Sequence, residues 1–499
     1  MSERGPVLTL GLVGLSVGLT VLAFPPVGWW PLAFAMHAPL AAALEGRRPL
    51  AAFAIAWTYL IAIGLVIARW MIHALAVEYA VPEIAAWLFT AAVIGVVALP
   101  GTLALGGYAA LRPRVAPLAA PLLFAAAFTL GEWVRAEWMA CPWVLPGHAV
   151  AFVPLLIQVA DIGGVSLVGF WLCAVGAGIG LALQSRSALP VVFPGAIAAL
   201  VLGYGAWRLD EPSDPVPALD VAVVQAAVPQ GERFQPGSAQ RNTLRHAELT
   251  RQVVRSNPPD LVVWSETAVD ANIDLRPELG ATLAALVDEI RLPLVTGAPR
   301  MREGQPINAV VVYAPGRGLV ETYAKQRLVP FAESDPPWGG PLAPLVSQLT
   351  AGIPYLAGTE ATVFRVGPMA FSTPVCFEIT YPALVRRFRQ QGATLLVNVS
   401  NDAWFGRTGY ADIHFLQAIF RAVEFRSWVV RGANTGISGF LDPWGRVVAF
   451  LPVFQEGVLR GQVGPAVRAS LYQRAGEAPL LVGLAAVVLL SVTVGRQRG

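Results

Sequence analysis

Lysine is almost absent from this 499-residue chain. Of its 35 basic residues one, Lys325, is a lysine, and all the others are arginine. Charge of either sign is also scarce, at 13% of residues, where a soluble domain carries about 25%. With 55% hydrophobic residues and a mean hydropathy of +0.58, that scarcity excludes an ordinary soluble protein. The net charge is +3, and no basic cluster or interleaved aromatic stripe is present, so a nucleic-acid partner is not expected. Three cysteines (Cys141, Cys173 and Cys376) are too few and too scattered for a disulfide framework. The five histidines (His37, His73, His148, His246 and His414) show no ligand spacing. Neither a metal nor another cofactor is therefore expected.

What is abundant is long apolar runs. A bilayer core about 30 Å thick takes roughly 20 apolar residues per helix. That length predicts spans near 6–24, 29–45, 50–69, 84–106, 117–136, 163–184, 189–207 and 478–495. The loops after the second, fourth and sixth spans carry Arg47 and Arg48, Arg112 and Arg114, and Arg186, and the tail carries Arg496 and Arg498. Arginine-rich short loops stay in the cytoplasm, so the N-terminus and the tail are expected inside. Seven spans then put the following domain outside. The predicted organisation is a membrane domain over 1–208, a globular domain over 209–475, and an eighth span with a tail over 476–499.

Within the globular stretch, β-rich apolar runs at 218–225, 260–266, 292–299, 307–315, 369–378, 393–402 and 436–450 alternate with helical patterns at 242–256, 279–291, 381–392 and 414–433. This is an α/β pattern with both crossovers and hairpins. The stretch 334–360 is long, apolar and rich in Pro and Gly, which suggests a functional loop. One apolar run stops at Glu266, another ends at Cys376, and Lys325 follows a hairpin. Strand ends around a shared crevice are where α/β folds build sites. A carboxylate can take a thiol proton, and an ammonium can stabilise the oxyanion formed when a thiolate attacks a carbonyl. Each residue alone has a plainer reading: a solvated cap for the Glu, an inert core residue for the Cys, a compositional straggler for the Lys.

In order, "WSETAV", "KQRLVPFAE", "PVCFE", "LLVNVSNDAWFG", "FRAVEFRSWVVRGANTGIS" and "DPWGRVV" resemble the carbon–nitrogen hydrolase (nitrilase) superfamily. The resemblance implies an α-β-β-α sandwich and a Glu-Lys-Cys triad. Glu266 would be the general base, Lys325 the oxyanion-stabilising cation and Cys376 the nucleophile, with Glu333 and Glu378 supporting or pairing with Lys325. Phe377 stands where relatives often carry Tyr and keeps an aromatic wall. Trp338 on the long loop and Trp404 are candidates to touch substrate, and Trp404 serves equally well to fix local backbone. The membrane body narrows the resemblance to the branch that carries eight membrane helices and works in the bacterial inner membrane with its catalytic domain in the periplasm. That branch moves an acyl chain from a phospholipid, through a cysteine thioester, to the N-terminal amine of a diacylglyceryl apolipoprotein. Two rivals stay open: a membrane-tethered amidase or nitrilase that passes the acyl group to water, and a transporter with an accessory domain. The spans lack the charge relays and paired broken helices of a transporter.

Overall fold

The computed structural model describes residues 5–211, 219–233, 235–330, 332–334, 355–367, 369–466 and 468–496. Trp338 and most of the 334–360 loop lie outside these residues. The chain forms two units. One comprises 1–72, 84–212 and 470–499, and the other comprises 73–83 and 213–469.

The first unit is helical. Among the described residues, four helices are long and apolar enough to cross a membrane: Pro6–Ala23, Pro49–Ile67, Ala160–Ser185 and Leu189–Leu209. Helices Glu83–Val97 and Leu99–Arg114 make a fifth if the pair, bent by 43°, is one span; Pro100 stands at the start of the second helix, where its ring cannot continue the preceding hydrogen-bond ladder. The expected span at 29–45 is broken into a 3-10 turn, Trp30–Phe34, and a seven-residue helix, Ala38–Leu44, that opens on Pro39. The expected span at 117–136 is the 18-residue helix Ala120–Glu137, which carries Glu132, Arg135 and Glu137 in its last turns. Near the C-terminus, Ala478–Ser491 is apolar but shorter. Helix crossings are close where side chains are absent. A Cβ on Gly131 would lie 2.5 Å from Gly101 Cα, so the two backbones touch, as small residues permit between apolar helices.

The second unit is built on two six-stranded sheets. The strands are β1 (Leu219–Gln225), β2 (Leu261–Trp264), β3 (Leu294–Gly297), β4 (Arg300–Arg302), β5 (Gln305–Ile307), β6 (Ala309–Ala314) and β7 (Gly318–Ala324). They are followed by β8 (Phe364–Val366), β9 (Met369–Ser372), β10 (Leu395–Ser400), β11 (Val429–Ala433), β12 (Ser438–Leu441), β13 (Val447–Leu451) and β14 (Gly457–Val463). One sheet runs β14-β1-β2-β3-β6-β7 and the other β13-β12-β11-β10-β9-β8, with β4 and β5 as a separate hairpin. In each sheet the middle is parallel, β1-β2-β3 and β9-β10-β11, and the edges are antiparallel. Parallel strands are buried on both faces and read as continuous apolar runs; β2, β10 and β11 are buried throughout. The sheets pack face to face where Gly432 of β11 meets Val263 of β2 and Val223 of β1. Helix Pro277–Ile290 packs against the first sheet through Leu279, Leu283, Leu286 and Val287, alongside Trp264 and Leu294. Helices Pro382–Gln390 and Tyr410–Phe425 accompany the second sheet. The nitrilase-like sandwich expected from the sequence is present.

Two differences bear on the site. The helical pattern read through 433 stops at Phe425, because Arg426 turns left-handed at φ 46° and the β-branched pair Val429–Val430 enters the sheet beside β10. The run 436–450 is the hairpin β12–β13, turned by the Asp442–Gly445 segment.

Candidate active site

The parallel strands of both sheets deliver polar residues just past their C-terminal ends. Glu266 follows β2, Cys376 follows β9, Asn401 and Asp402 follow β10, and Asn434 follows β11. This is the crevice position at which parallel sheets bind ligands.

Lys325 lies directly after β7 and is 1% exposed. Its Nζ donates to Glu266 Oε1 at 3.2 Å and to Glu333 Oε1 at 3.0 Å. Burial disfavours the ammonium, but the Glu266 and Glu333 carboxylates outweigh it and hold the pKa well above the usual lysine value. The lysine is therefore a fixed cation. Asn308, between β5 and β6, donates through Nδ2 to Glu266 Oε1 at 2.8 Å and to Glu333 Oε1 at 2.7 Å. Glu266 Oε2 accepts from the Asn401 backbone N–H at 2.9 Å, and Glu333 Oε2 from that of Val329 at 2.8 Å. Each carboxylate is held at both ends.

Cys376 opens a 3-10 turn, Cys376–Thr380, with φ at +50°. A left-handed conformation is strained for a residue with a Cβ, and such strain collects at functional turns. Burial and then the Glu266 carboxylate push the thiol pKa far up, against the pull of Lys325 and a hydrogen bond from Ser400. That direction favours the thiol over the thiolate.

Glu378 is fully buried, and its carboxylate hydrogen-bonds donors other than Lys325. Its Oε1 accepts from the backbone N–H groups of Gln326 at 2.6 Å and Arg327 at 2.9 Å, and its Oε2 from Val375 N–H at 2.8 Å. The Tyr323 hydroxyl donates to both oxygens at 2.9 Å. Burial pushes this carboxyl up to about 7 against those donors. Glu378 thus ties the segment after Lys325 to the turn before Cys376. Phe377 is buried edge-on against Tyr381.

Behind Cys376 lies a second buried ionic group. Arg431 Nη2 contacts Asp402 Oδ2 at 2.9 Å and His414 Nδ1 at 3.0 Å, and Asp402 Oδ1 accepts from Ser400 Oγ at 2.6 Å. Burial works against the Asp402 charge, but Arg431 and His414 hold its carboxyl well below the usual range. Burial, then Arg431, lowers His414. Cys376, Asp402 and His414 bring potential metal-binding atoms within 4.8 Å of one another, yet the Arg431 guanidinium already supplies the cation there.

Trp404 sits on the turn Asp402–Phe405 and stacks on Tyr79, ring centroids 5.3 Å apart and 16° between planes. Tyr79 comes from the 73–83 segment of this same unit. Burial and the Glu333 and Glu78 carboxylates push its phenol up to about 12, and burial with Glu333 and Glu266 does the same to Tyr355. Both phenols therefore feel the Glu333 charge. The sequence reading missed Asn308, Tyr323, Ser400, Arg431 and the 73–83 segment. Arg431 was hidden inside an apparent helix. The others are polar residues whose role depends on long-range pairing.

Comparison with known proteins matches residues 16–178 to the apolipoprotein N-acyltransferase N-terminal domain family and residues 220–472 to the carbon–nitrogen hydrolase family. An apolipoprotein N-acyltransferase of Geobacter metallireducens is 30% identical over 93% of this chain and 91% of its own length. One of Azotobacter vinelandii is 33% identical over 98% of this chain and 95% of its own. Among solved structures, an amidase from Nesterenkonia sp. is similar at 17% identity and a TM-score of 0.40, covering 55% of this chain and 99% of the amidase.

Proposed function

Since the chain belongs to the apolipoprotein N-acyltransferase family, we propose that Cys376, Glu266 and Lys325 carry its acyl transfer and that a phospholipid is the donor. The protein is a membrane enzyme, an N-acyltransferase of lipoprotein maturation. The observation that carries the assignment of residues is the buried Lys325 ammonium fixed between Glu266 and Glu333 in the crevice that also presents Cys376.

In the first step Glu266 takes the thiol proton as sulfur attacks the acyl ester carbon. Lys325 stabilises the oxyanion in a site where burial strengthens that interaction. The ester C–O bond breaks, the proton passes from Glu266 to the leaving oxygen, and lysophospholipid departs, leaving a thioester. In the second step the N-terminal amine of a diacylglyceryl apolipoprotein attacks the thioester and gives its proton to Glu266. The C–S bond breaks, and the proton returns to sulfur. The high thiol pKa fits this order, because the proton leaves only as the bond to carbon forms. Glu333 and Glu378 hold Lys325 and the nucleophile turn, Phe377 walls the site, and Trp338 and Trp404 contact lipid.

The proposed topology has eight spans, with domains at 1–208, 209–475 and 476–499 and the catalytic domain in the periplasm. The arginine-rich loops support that orientation. So does the 73–83 segment, which the same reading puts outside and which belongs to the catalytic unit.

Intact mass spectrometry of the purified enzyme given phospholipid alone tests the mechanism. An acyl adduct on Cys376, absent from Cys376→Ala, is expected, and its absence from the wild type would sink the proposal. Adding a lipidated peptide should yield N-acyl peptide. Free fatty acid instead would favour water as the acceptor.

A further inference from the structure

The strained turn at Cys376 needs a restraint. Its φ of +50° is unfavourable for any residue with a side chain, so something must hold the peptide that follows the sulfur. The Cys376 carbonyl faces two side chains: His414 Nε2 at 3.3 Å and Asn398 Nδ2 at 3.5 Å. Asn398 Nδ2 is closer to the Pro374 carbonyl, at 2.8 Å, and its Oδ1 accepts from Arg431. Asn398 therefore serves the strand before the turn, and His414 is the residue aimed at the nucleophile's own peptide.

We propose that His414 is a positioning residue for the nucleophile, its imidazole holding the Cys376 carbonyl while Arg431 holds the imidazole and Asp402 holds Arg431. The proposal rests on the reading of Cys376 as nucleophile. His414 is buried on helix Tyr410–Phe425 at 3% exposure, and no solvent competes for its nitrogens. Nδ1 lies 3.0 Å from both Arg431 Nη2 and Asp402 Oδ1. When Nδ1 accepts from the guanidinium, the ring hydrogen is on Nε2, the atom that meets the carbonyl. Asp402 in turn accepts from Arg431 and Ser400, so every member is fixed by another.

The test compares two amides in the full-length enzyme. The amide of Gln reaches about as far as Nε2, and that of Asn about as far as Nδ1. His414→Gln keeps a donor toward Cys376, whereas His414→Asn keeps an acceptor for Arg431 near the Nδ1 position and loses that donor. Thioester formation in a single turnover is measured with a dipalmitoyl phospholipid in mixed micelles, with thermal unfolding alongside. His414→Asn is expected to be slower by about 100-fold, the size of effect a small misplacement of a reacting group produces, with KM little changed. His414→Gln should stay within about tenfold of wild type. Equal rates for the two variants, high or low, would overturn the proposal, as would unfolding of both. Cys376→Ala is run in parallel: a thioester in that variant would overturn the nucleophile reading instead.

Discussion

Lys325 shows why arginine was not used throughout. Its ammonium is a compact charge that donates to two carboxylates while almost fully buried. A guanidinium is larger, planar and rigid in its donor directions. Lys325→Arg should therefore fold and insert, yet form acyl-enzyme at least about 100-fold more slowly, comparable to losing an oxyanion donor. Single-turnover acylation measures this, and a near-wild-type rate would make the lysine incidental. The neighbouring thiol gives a prediction in pH. Burial and the Glu266 carboxylate raise the Cys376 pKa, so the thiolate fraction keeps increasing with pH across the neutral and mildly alkaline range. Alkylation by iodoacetamide should rise about tenfold per pH unit from pH 7 to 9 without a plateau. A plateau near neutrality would mean a preformed thiolate.

At the scale of elements, the site depends on straps between strands that are distant in sequence. Glu378 joins the residues after β7 to the turn after β9 by accepting three backbone N–H groups and the Tyr323 hydroxyl. An amide cannot accept at both ends. Glu378→Gln leaves at least one buried donor unpaired, costing roughly 1–3 kcal/mol. Melting temperature and acylation rate should fall together, and a variant unchanged in both would refute the strap. Gly406 has φ +52°, and a Cβ there would lie 2.2 Å from His73 Nε2. Gly406→Ala should displace the 73–83 segment and slow acylation by phospholipid more than alkylation by iodoacetamide. Parallel changes in the two rates would mean general loosening. The three residues proposed for acyl transfer stood out in the sequence because Glu266 and Cys376 end apolar runs, Lys325 follows a hairpin, and each lies inside a recognisable motif. Arg431 did not. "FRSWVVRGA" continues a helical spacing, and only sheet pairing with β10 sets Val429–Ala433 as a strand. Asn308 and Tyr323 are ordinary polar residues until strands β6 and β7 bring them beside Glu333 and Glu378.

At the scale of the whole molecule, composition separates a membrane body from an α/β domain, but helix boundaries follow features that hydropathy averages away. The proline at 39 and the late charges in Ala120–Glu137 are examples. The proposed orientation makes a labelling prediction. In intact spheroplasts a membrane-impermeant maleimide should modify Glu303→Cys, at the exposed tip between β4 and β5, and spare Ala188→Cys in the loop after Ala160–Ser185. The three native cysteines are buried and should give little background. The reverse pattern would invert the topology.

The 73–83 segment is encoded between helices Pro49–Ile67 and Glu83–Val97, yet it belongs to the body that holds Trp404 and Gly406. The hydrolase body is for that reason not a detachable cassette. A gene fragment beginning at residue 213 would encode both sheets but leave out the strip that stacks on Trp404, so a graft of the active half onto another anchor would carry a bare notch. An exchange of this half between relatives would set Trp404 against the recipient's own strip rather than the one it stacks on here.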